Sequence, residues 1–281
     1  PMLLPSKMRS IKQRDTPKLR YAFIIRKTSL EYMINAQNIL KSLNNKIEVY
    51  TYDVIPSTND EARKFLIKAP CDRAVFVARG QTAGKGRLGR SFYSPTDTGI
   101  YMTYVFRVEK ICNETVRITT AASAAVAKAL DCGAKIKWVN DLYLCGKKIC
   151  GILTETVKIA EYNYIMIGVG INLTTIDFPD DIRHKAGAIG VTLDKDKTIA
   201  AICDNLSRIA DAPFATDYLE YYRKNMMGIG ETITYSEKGQ ERTAKIEGIN
   251  DLGALLVIEG DEQKCLCSGE ITITSIATDS R

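Results

Sequence analysis

A single histidine, His184, and a single tryptophan, Trp138, stand among 281 residues. One histidine cannot supply a histidine-rich metal cluster, and the eight cysteines do not make up for it. Their closest pairs, Cys145 with Cys150 and Cys265 with Cys267, lack the spacing of zinc ligands. The others are scattered, several inside apolar stretches (Cys132, Cys150, Cys203). That distribution reads as reduced thiols and not as a disulfide framework. No apolar run approaches the roughly 20 residues that cross a bilayer, and no apolar signal-peptide centre is visible. The expectation is a cytoplasmic protein without a membrane partner.

A broad excess of positive charge is also missing. The net charge of +6 is local: residues 1–27 hold eight cations against Asp15 alone, and the remainder holds 31 bases against 32 acids. The body is therefore nearly neutral. The basic N-terminal segment, 1–32, is expected to be poorly ordered and to add at most nonspecific affinity for nucleic acid. It shows no helix-turn-helix pattern, so sequence-specific DNA binding is not expected. With 45% hydrophobic and 26% charged residues the rest is an ordinary globular composition, long enough for one main domain and a small one.

What the chain does have is a glycine- and arginine-rich stretch, Arg79 to Arg90. Glycines stand at 80, 84, 86 and 89, cations at 79, 85, 87 and 90, and no acid interrupts them. Glycine lets a backbone approach a ligand closely, and guanidinium and ammonium groups bind phosphate and carboxylate. Apolar strands flank it, Ala74–Ala78 before and Gly99–Val108 after. A polar loop of that length between core strands is usually functional. It is not a P-loop, because Gly86 and not a hydroxyl residue follows Lys85. Gly84–Gly89 fits Gly-x-Gly-x-x-Gly, but the loop runs into a strand where a dinucleotide fingerprint needs a helix.

Along the chain, Leu19–Ile25 reads as a strand, Asn35 to Leu43 as a short helix and Ile47–Val54 as a strand. A helix opens after Pro56, capped by Ser57 or Thr58, with acids at 60 and 61 at its positive end. Glu114 to Leu130 is a long helix with a small-residue face. Ala134–Trp138, Leu142–Cys145, Lys148–Glu155 and Asn163–Leu173 are strands, with a tight turn at Gly146-Lys147. Residues 174–197 read as a long loop, and helices follow at Thr198–Ile209 and Tyr218–Met226. From Glu231 onward four or five short strands alternate with turns, as in a small barrel. The expected domains are thus 33–228 and 229–281.

Four stretches in this order resemble the biotin–protein ligases: Ser57–Asp60, Gln81–Arg90, Lys137–Asp141 with Lys148–Glu155, and Gly168–Asn172. The resemblance spans about 33 to 274, including Gly253–Leu256 and Gly269-Glu270. It implies an α+β fold: a central mixed β-sheet with helices packed on it, as in class II aminoacyl-tRNA synthetases and biotin ligases, then a C-terminal Src-homology-3-like β-barrel. It implies a cytoplasmic ATP-dependent, AMP-forming ligase. Biotin and Mg²⁺·ATP would give biotinyl-5′-AMP. A lysine of a biotin carboxyl carrier protein or domain would then take the biotin. Biotin would fall to Ser57, Thr58, Asn59, Gln81, Lys85, Gly86, Arg87 and Lys148. ATP or the adenylate would fall to Lys85, Arg87, Arg90, Phe92, Lys137, Asn140, Asp141 and Asn172. Lys148, Arg87 and Asp141 would carry the chemistry, and Asp141 is the candidate Mg²⁺ ligand. A homodimer through the sheet edge is a further implication.

Taken singly, these residues also have plain structural readings: Ser57 to Asn59 as caps, Lys148 as a hairpin lysine, Trp138 as core, Asn172 as a turn pin. The chain departs from the family at two places. Lys85 stands where arginine is usual, which keeps the charge and loses the bidentate fork. Val139 stands where proline is usual after Trp138, which should loosen that turn. Competing readings are a lipoate- or octanoate-transferring ligase of the same superfamily and a biotin-responsive regulator without turnover.

Overall fold

A computed structural model describes residues 34–110, 115–237, 239–267 and 271–273, together with the backbone of 9–10 and 22–24. The expected disorder of the first 32 residues, the turn at Ser268-Gly269 and the Gly269-Glu270 match lie outside the described residues.

A nine-stranded mixed sheet forms the body. Its strands are β1 (Arg9–Ser10), β2 (Ala22–Ile24), β3 (Glu48–Ile55), β4 (Arg73–Gln81), β5 (Gly99–Val108), β6 (Lys135–Lys137), β7 (Asp141–Leu144), β8 (Lys147–Ile159) and β9 (Tyr162–Asn172). Their order in space is β1-β2-β3-β4-β5-β9-β8-β7-β6, with β2-β3 and β3-β4 parallel and the other pairs antiparallel. The mixed sheet expected from the resemblance is therefore present.

The helices divide between its two faces. On one side lie α1 (Ala36–Ser42), α3 (Thr115–Leu130) and α4 (Lys195–Asp211), with α5 (Leu219–Asn225) against α3. They cover Val75, Val77, Met102, Tyr104, Ile152, Ile167, Val169 and Ile171, all buried. The alanine face of α3, with Ala121, Ala122 and Ala124 buried, lets the helix come close to this layer. A larger side chain at Ala122 would overpack it at a cost of about 1–3 kcal/mol. On the other side lies α2 (Thr58–Lys68), whose Ala62 and Leu66 pack with Tyr50, Phe76, Val105, Tyr164 and Met166. The helix covers only part of that face. The uncovered part is where Gly151, Gly168 and Gly170 come together.

The second sheet is β13-β12-β11-β10-β14, all antiparallel, built from β10 (Thr232–Glu237), β11 (Gln240–Ile249), β12 (Leu255–Glu259), β13 (Glu262–Leu266) and β14 (Ile271–Ile273). Of the four or five strands expected, five are there. Among the described residues β13 and β14 remain the two edges, so the sheet is a five-stranded antiparallel one and its closure into a barrel is not seen. It is fastened to the body by Trp138, whose Nε1 donates to Gly253 O at 2.9 Å, and by Arg223, whose Nη2 donates to Ile249 O at 3.2 Å and reaches Asp251 at 2.8 Å.

Two expectations change. The turn after Trp138 is not loose. The Trp138–Val139 peptide is cis, Val139 is buried, and its carbonyl accepts from Ser123 Oγ at 3.0 Å. The stretch 174–197 ends sooner than expected, because Asp194 caps α4 by accepting from Lys197 N at 3.1 Å. Part of that stretch is tied back to the sheet: Lys148 N donates to Lys185 O and Gly187 N donates to Lys148 O.

Candidate active site

The floor is a patch of sheet opened by three glycines, Gly151, Gly168 and Gly170. Register places Asp141, Gly151, Gly170 and Tyr101 side by side across β7, β8, β9 and β5, and Leu153, Gly168 and Thr103 side by side in the next row on the same face. A Cβ on Gly168 would lie 2.6 Å from Asn59 Oδ1, and one on Gly170 would lie 2.5 Å from the Phe92 ring. These glycines are required by close approach, with α2 over one and the loop over the other.

The loop itself is structured. Gln81 bridges to Ser94 and Lys85 to Ser91, so the two halves run antiparallel toward a turn at Arg87–Gly89. Leu88 and Gly89 take left-handed backbone, φ 55° and 75°. Both ends are held. Arg79 donates from Nε and Nη2 to the two oxygens of Asp97 and from Nη1 to Asp53 at 2.6 Å. The paired guanidinium holds the Asp97 carboxyl below the usual carboxylate range, against the opposing effect of burial. Arg79, counted above among the loop cations, is thus a fastening between acids. Tyr101 donates its hydroxyl to Pro95 O at 2.9 Å, and burial pushes that phenol up to about 12.

Beside the floor, the start of α2 carries a hydrogen-bonded chain. Ser57 caps the helix, accepting from Asp60 N at a long 3.5 Å. Gln81 Oε1 accepts from Thr58 N at 2.8 Å and Thr58 Oγ1 at 3.1 Å, while Gln81 Nε2 donates to Ser94 Oγ. Thr103 Oγ1 lies 2.6 Å from Asn59 Oδ1 and 2.8 Å from Thr58 Oγ1. Asn59 Nδ2 donates to Glu155 Oε2 at 2.7 Å, and Arg63 donates to Glu155 Oε1 at 2.8 Å. Ser57, Thr58, Asn59 and Thr103 are all buried. Uncompensated burial of so many polar groups would cost about 1–3 kcal/mol each, so the mutual pairing is what makes the cluster tolerable.

Across the floor is the charged group. Lys148 Nζ is 2.7 Å from Asp141 Oδ1. The pairing of β7 with β8 steps from Leu142↔Cys150 to Tyr143↔Lys148, leaving Ile149 as an extra residue. Such a bulge re-aims the side chain beside it. Ile149 and Cys150 both enter the helical core, and Lys148 comes to the face of Asp141 and Gly151. Arg87 Nη1 reaches Asn140 Oδ1 at 3.2 Å, and Asn140 is itself fixed by donating to Ile152 O. Phe92 lies over Gly151 and Gly170 beside Lys148. Lys137 is register-opposed to Asp141, with its Nζ 5.7 Å from the Tyr143 ring centre.

Three expected residues stand apart from that group. Lys85 is engaged by Asp60 Oδ1 at 2.5 Å, on the first turn of α2. Arg90 is exposed at the loop turn, where its carbonyl accepts from Gly86 N at 2.7 Å. Asn172 donates to Gly187 O at 3.0 Å and so pins the segment paired with Lys148, while its Oδ1 is buried without a partner. Thr103, Glu155, Arg63 and Asp60 belong to the site and were not singled out from sequence. The one available signal was Arg63 standing four residues after Asn59, one helical turn along the same face. Beside the loop, Tyr93, Ile176, Asp177, Phe178, Pro179 and Arg183 line an open hollow of about 490 Å³.

Residues 51–172 match the model of the biotin/lipoate A/B protein ligase family. The chain is 28% identical over 236 residues to the bifunctional ligase/repressor BirA of Bacillus spizizenii, covering 79% of this chain and 72% of the relative. It is 25% identical to the biotin–[acetyl-CoA-carboxylase] ligase of Mycobacterium tuberculosis, covering 78% and 87%. In fold it resembles the biotin protein ligase of Aquifex aeolicus solved with biotin and ATP, with a TM-score of 0.67 and 24% identity over 80% of this chain and 97% of that one. The matched span runs from β3 to the end of β9, so it contains the loop, the glycine floor and the Lys148–Asp141 pair. In sequence the chain is similar to the biotin protein ligases, and its residues 51–172 carry the match to the biotin/lipoate A/B protein ligase family.

Proposed function

We propose that this chain is a biotin–protein ligase. It activates biotin with ATP to biotinyl-5′-AMP and passes the biotin to a lysine of a carrier protein or domain. The observation that supports this most directly is the meeting of Lys148, Asp141, Arg87 and Asn140 beside a glycine floor under a structured cationic loop.

The reaction joins two anions, a carboxylate and an α-phosphate. Cations fixed in advance neutralise the charge that develops and hold the reactants in line, so no protein nucleophile is needed. In this reading Lys148 and Arg87 face the reacting oxygens, and Lys85 exchanges Asp60 for ligand. The chain of Thr58, Asn59, Gln81 and Thr103 reads the ureido ring. Phe92, on the floor between the two groups, shields the adenylate from water. The unpartnered Asn172 Oδ1 and the hollow beside Tyr93 and Phe178 offer polar and stacking contacts for the nucleotide. Asp141, released from Lys148 by the bound anions, positions the incoming lysine amine.

Magnesium is a companion of the nucleotide here. Among the described residues no group of three His, Cys, Asp or Glu side chains gathers to hold an ion, and Asp141 is engaged by Lys148. Those residues do not form a resident metal site. The ion would be carried by phosphate oxygens and water, as Mg²⁺ commonly is. The five-stranded antiparallel sheet reads as most of a small barrel, and the free edges of the two sheets are where a second copy would pair.

Transfer of labelled biotin to a carrier domain tests the reading, with pyrophosphate release as the first-step signal. Biotin against lipoate in calorimetry separates it from the lipoate-transferring alternative. Binding of biotin without pyrophosphate release would leave a regulator as the answer.

A further inference from the structure

We propose that Glu155 is a positioning residue that fixes the hydrogen-bonding polarity of the ligand-reading cluster through the Asn59 amide, so that the site shows acceptor oxygens to a cyclic urea. The proposal rests on the biotin reading above and names what determines its specificity.

A carboxylate has acceptors only, while an amide has one accepting and one donating end. Glu155 Oε2 is 2.7 Å from the Asn59 amide, so the donating Nδ2 must face it. The oxygen end is then forced toward Thr103, 2.6 Å away. Thr103 has one proton to give, and the shorter contact takes it. Thr58 Oγ1, 2.8 Å away, gives its own proton to Gln81 Oε1, so the Thr103 oxygen keeps a lone pair for a further donor. Gln81 Oε1 already accepts from Thr58 N, and its Nε2 is turned to Ser94 Oγ. One carboxylate thereby sets the direction of hydrogen bonding from β8 through Asn59 on α2 to Thr103 on β5, and the Thr58 N–H turns Gln81 Oε1 into the same cluster.

The anchor of the arrangement is also on α2. Arg63 is one turn after Asn59 and holds the second oxygen of Glu155 at 2.8 Å. Gly168 beneath leaves the space that the amide fills, since a methyl group there would sit 2.6 Å from Asn59 Oδ1, and the bond to Glu155 decides which end of the amide faces which way. A reversed amide would offer a donor where the ureido N–H groups need acceptors. The mismatch would leave two donors face to face, which is more costly than a missing bond.

A reciprocal exchange of the two side chains tests this. Glu155→Gln should weaken biotin binding by about tenfold, raising KM for biotin far more than it lowers kcat. Asn59→Asp should be worse, because two carboxylates would oppose each other. The double variant Asn59→Asp, Glu155→Gln restores one donor and one acceptor across the same gap and keeps an oxygen toward Thr103. It should bind biotin about tenfold more tightly than Asn59→Asp alone. No loss in Glu155→Gln, or a double variant as weak as Asn59→Asp, overturns the proposal. Thermal unfolding is followed for each variant. Should Glu155→Gln fail to fold, Arg63→Gln replaces it: a weaker biotin KM effect in the same direction supports the proposal, and none overturns it. A parent chain that takes up no biotin overturns the functional reading and this one with it, and that result is visible before any variant is made.

Discussion

Lys148 Nζ sits 2.7 Å from Asp141 Oδ1, on neighbouring strands and over the same glycine floor. In the proposed function the acid keeps the amine at the site until bound anions take its place. Lys148→Met should lower pyrophosphate release by about a hundredfold or more, the usual scale for removing one preorganised charge from a transition state. Biotin binding should fall less. Stopped-flow or coupled pyrophosphate assays with saturating biotin and ATP check this.

Gly168→Ala should raise KM for biotin at least about tenfold while leaving KM for ATP near its parent value, because the new methyl group meets Asn59 Oδ1 at 2.6 Å. Gly170→Ala meets the Phe92 ring at 2.5 Å instead. Its loss should be partly recovered by Phe92→Leu, as expected for two groups in direct contact.

Lys85→Arg should slow the loss of bound biotinyl-5′-AMP by about three- to tenfold, since a guanidinium binds phosphate or carboxylate through two parallel donors. The adenylate dissociation rate, measured by trapping, reports it. A rate unchanged from the parent would mean that this side chain does not face the adenylate.

The Arg79–Asp97 fastening predicts a pH dependence. Arg79 holds the Asp97 carboxyl below its ordinary range. A group lowered on folding adds stability above its unfolded pKa and gives it up as the pH falls through the folded one. Asp97 keeps 31% of its side chain exposed, so screening limits the share to about 1 kcal/mol. Arg79→Met should therefore lower the unfolding temperature at pH 7. The gap from the parent should narrow as the pH falls below about 4 and through the lowered range of the Asp97 carboxyl. Unfolding curves at pH 7 and pH 3 decide it.

Breaking the link between the sheets gives a separate test. Trp138→Phe removes the Nε1–H donor to Gly253 O and leaves that carbonyl unpaired in a buried setting. Unfolding free energy should drop by about 1–3 kcal/mol, with the ligand affinities little changed.

Much of this was legible in the chain because periodicity and punctuation are local. The Ser57 cap and the alanine face of α3 each follow from a few consecutive residues and stand where expected, while the tight turn expected at Gly146-Lys147 falls one residue earlier, at Cys145-Gly146. The cationic stretch was recognisable too, but its charges were not equivalent. Arg79 lies between two acids from β3 and the end of the loop, 26 and 18 positions away. No local pattern carries that. Thr103 and Glu155 escaped for the same reason: each earns its place from strands paired across the sheet, and register between strands is not written in either one alone. The loop of 174–197 was overestimated because Asp194 was not read as a cap.

The bulge at Ile149 has a consequence for how this site tolerates change. A strand in even alternation would send position 148 to the same side as Cys150, toward the alanine helix, and an ammonium group there would face hydrocarbon. The lysine reaches solvent and its acid only because one surplus residue shifts the phase between them. Shortening the strand by that residue would therefore do more than trim a turn. It would leave Lys148 opposite Tyr143 on the face of Asp141 but take the buried Ile149 side chain out of the core, so packing would suffer while the lysine kept its side of the sheet.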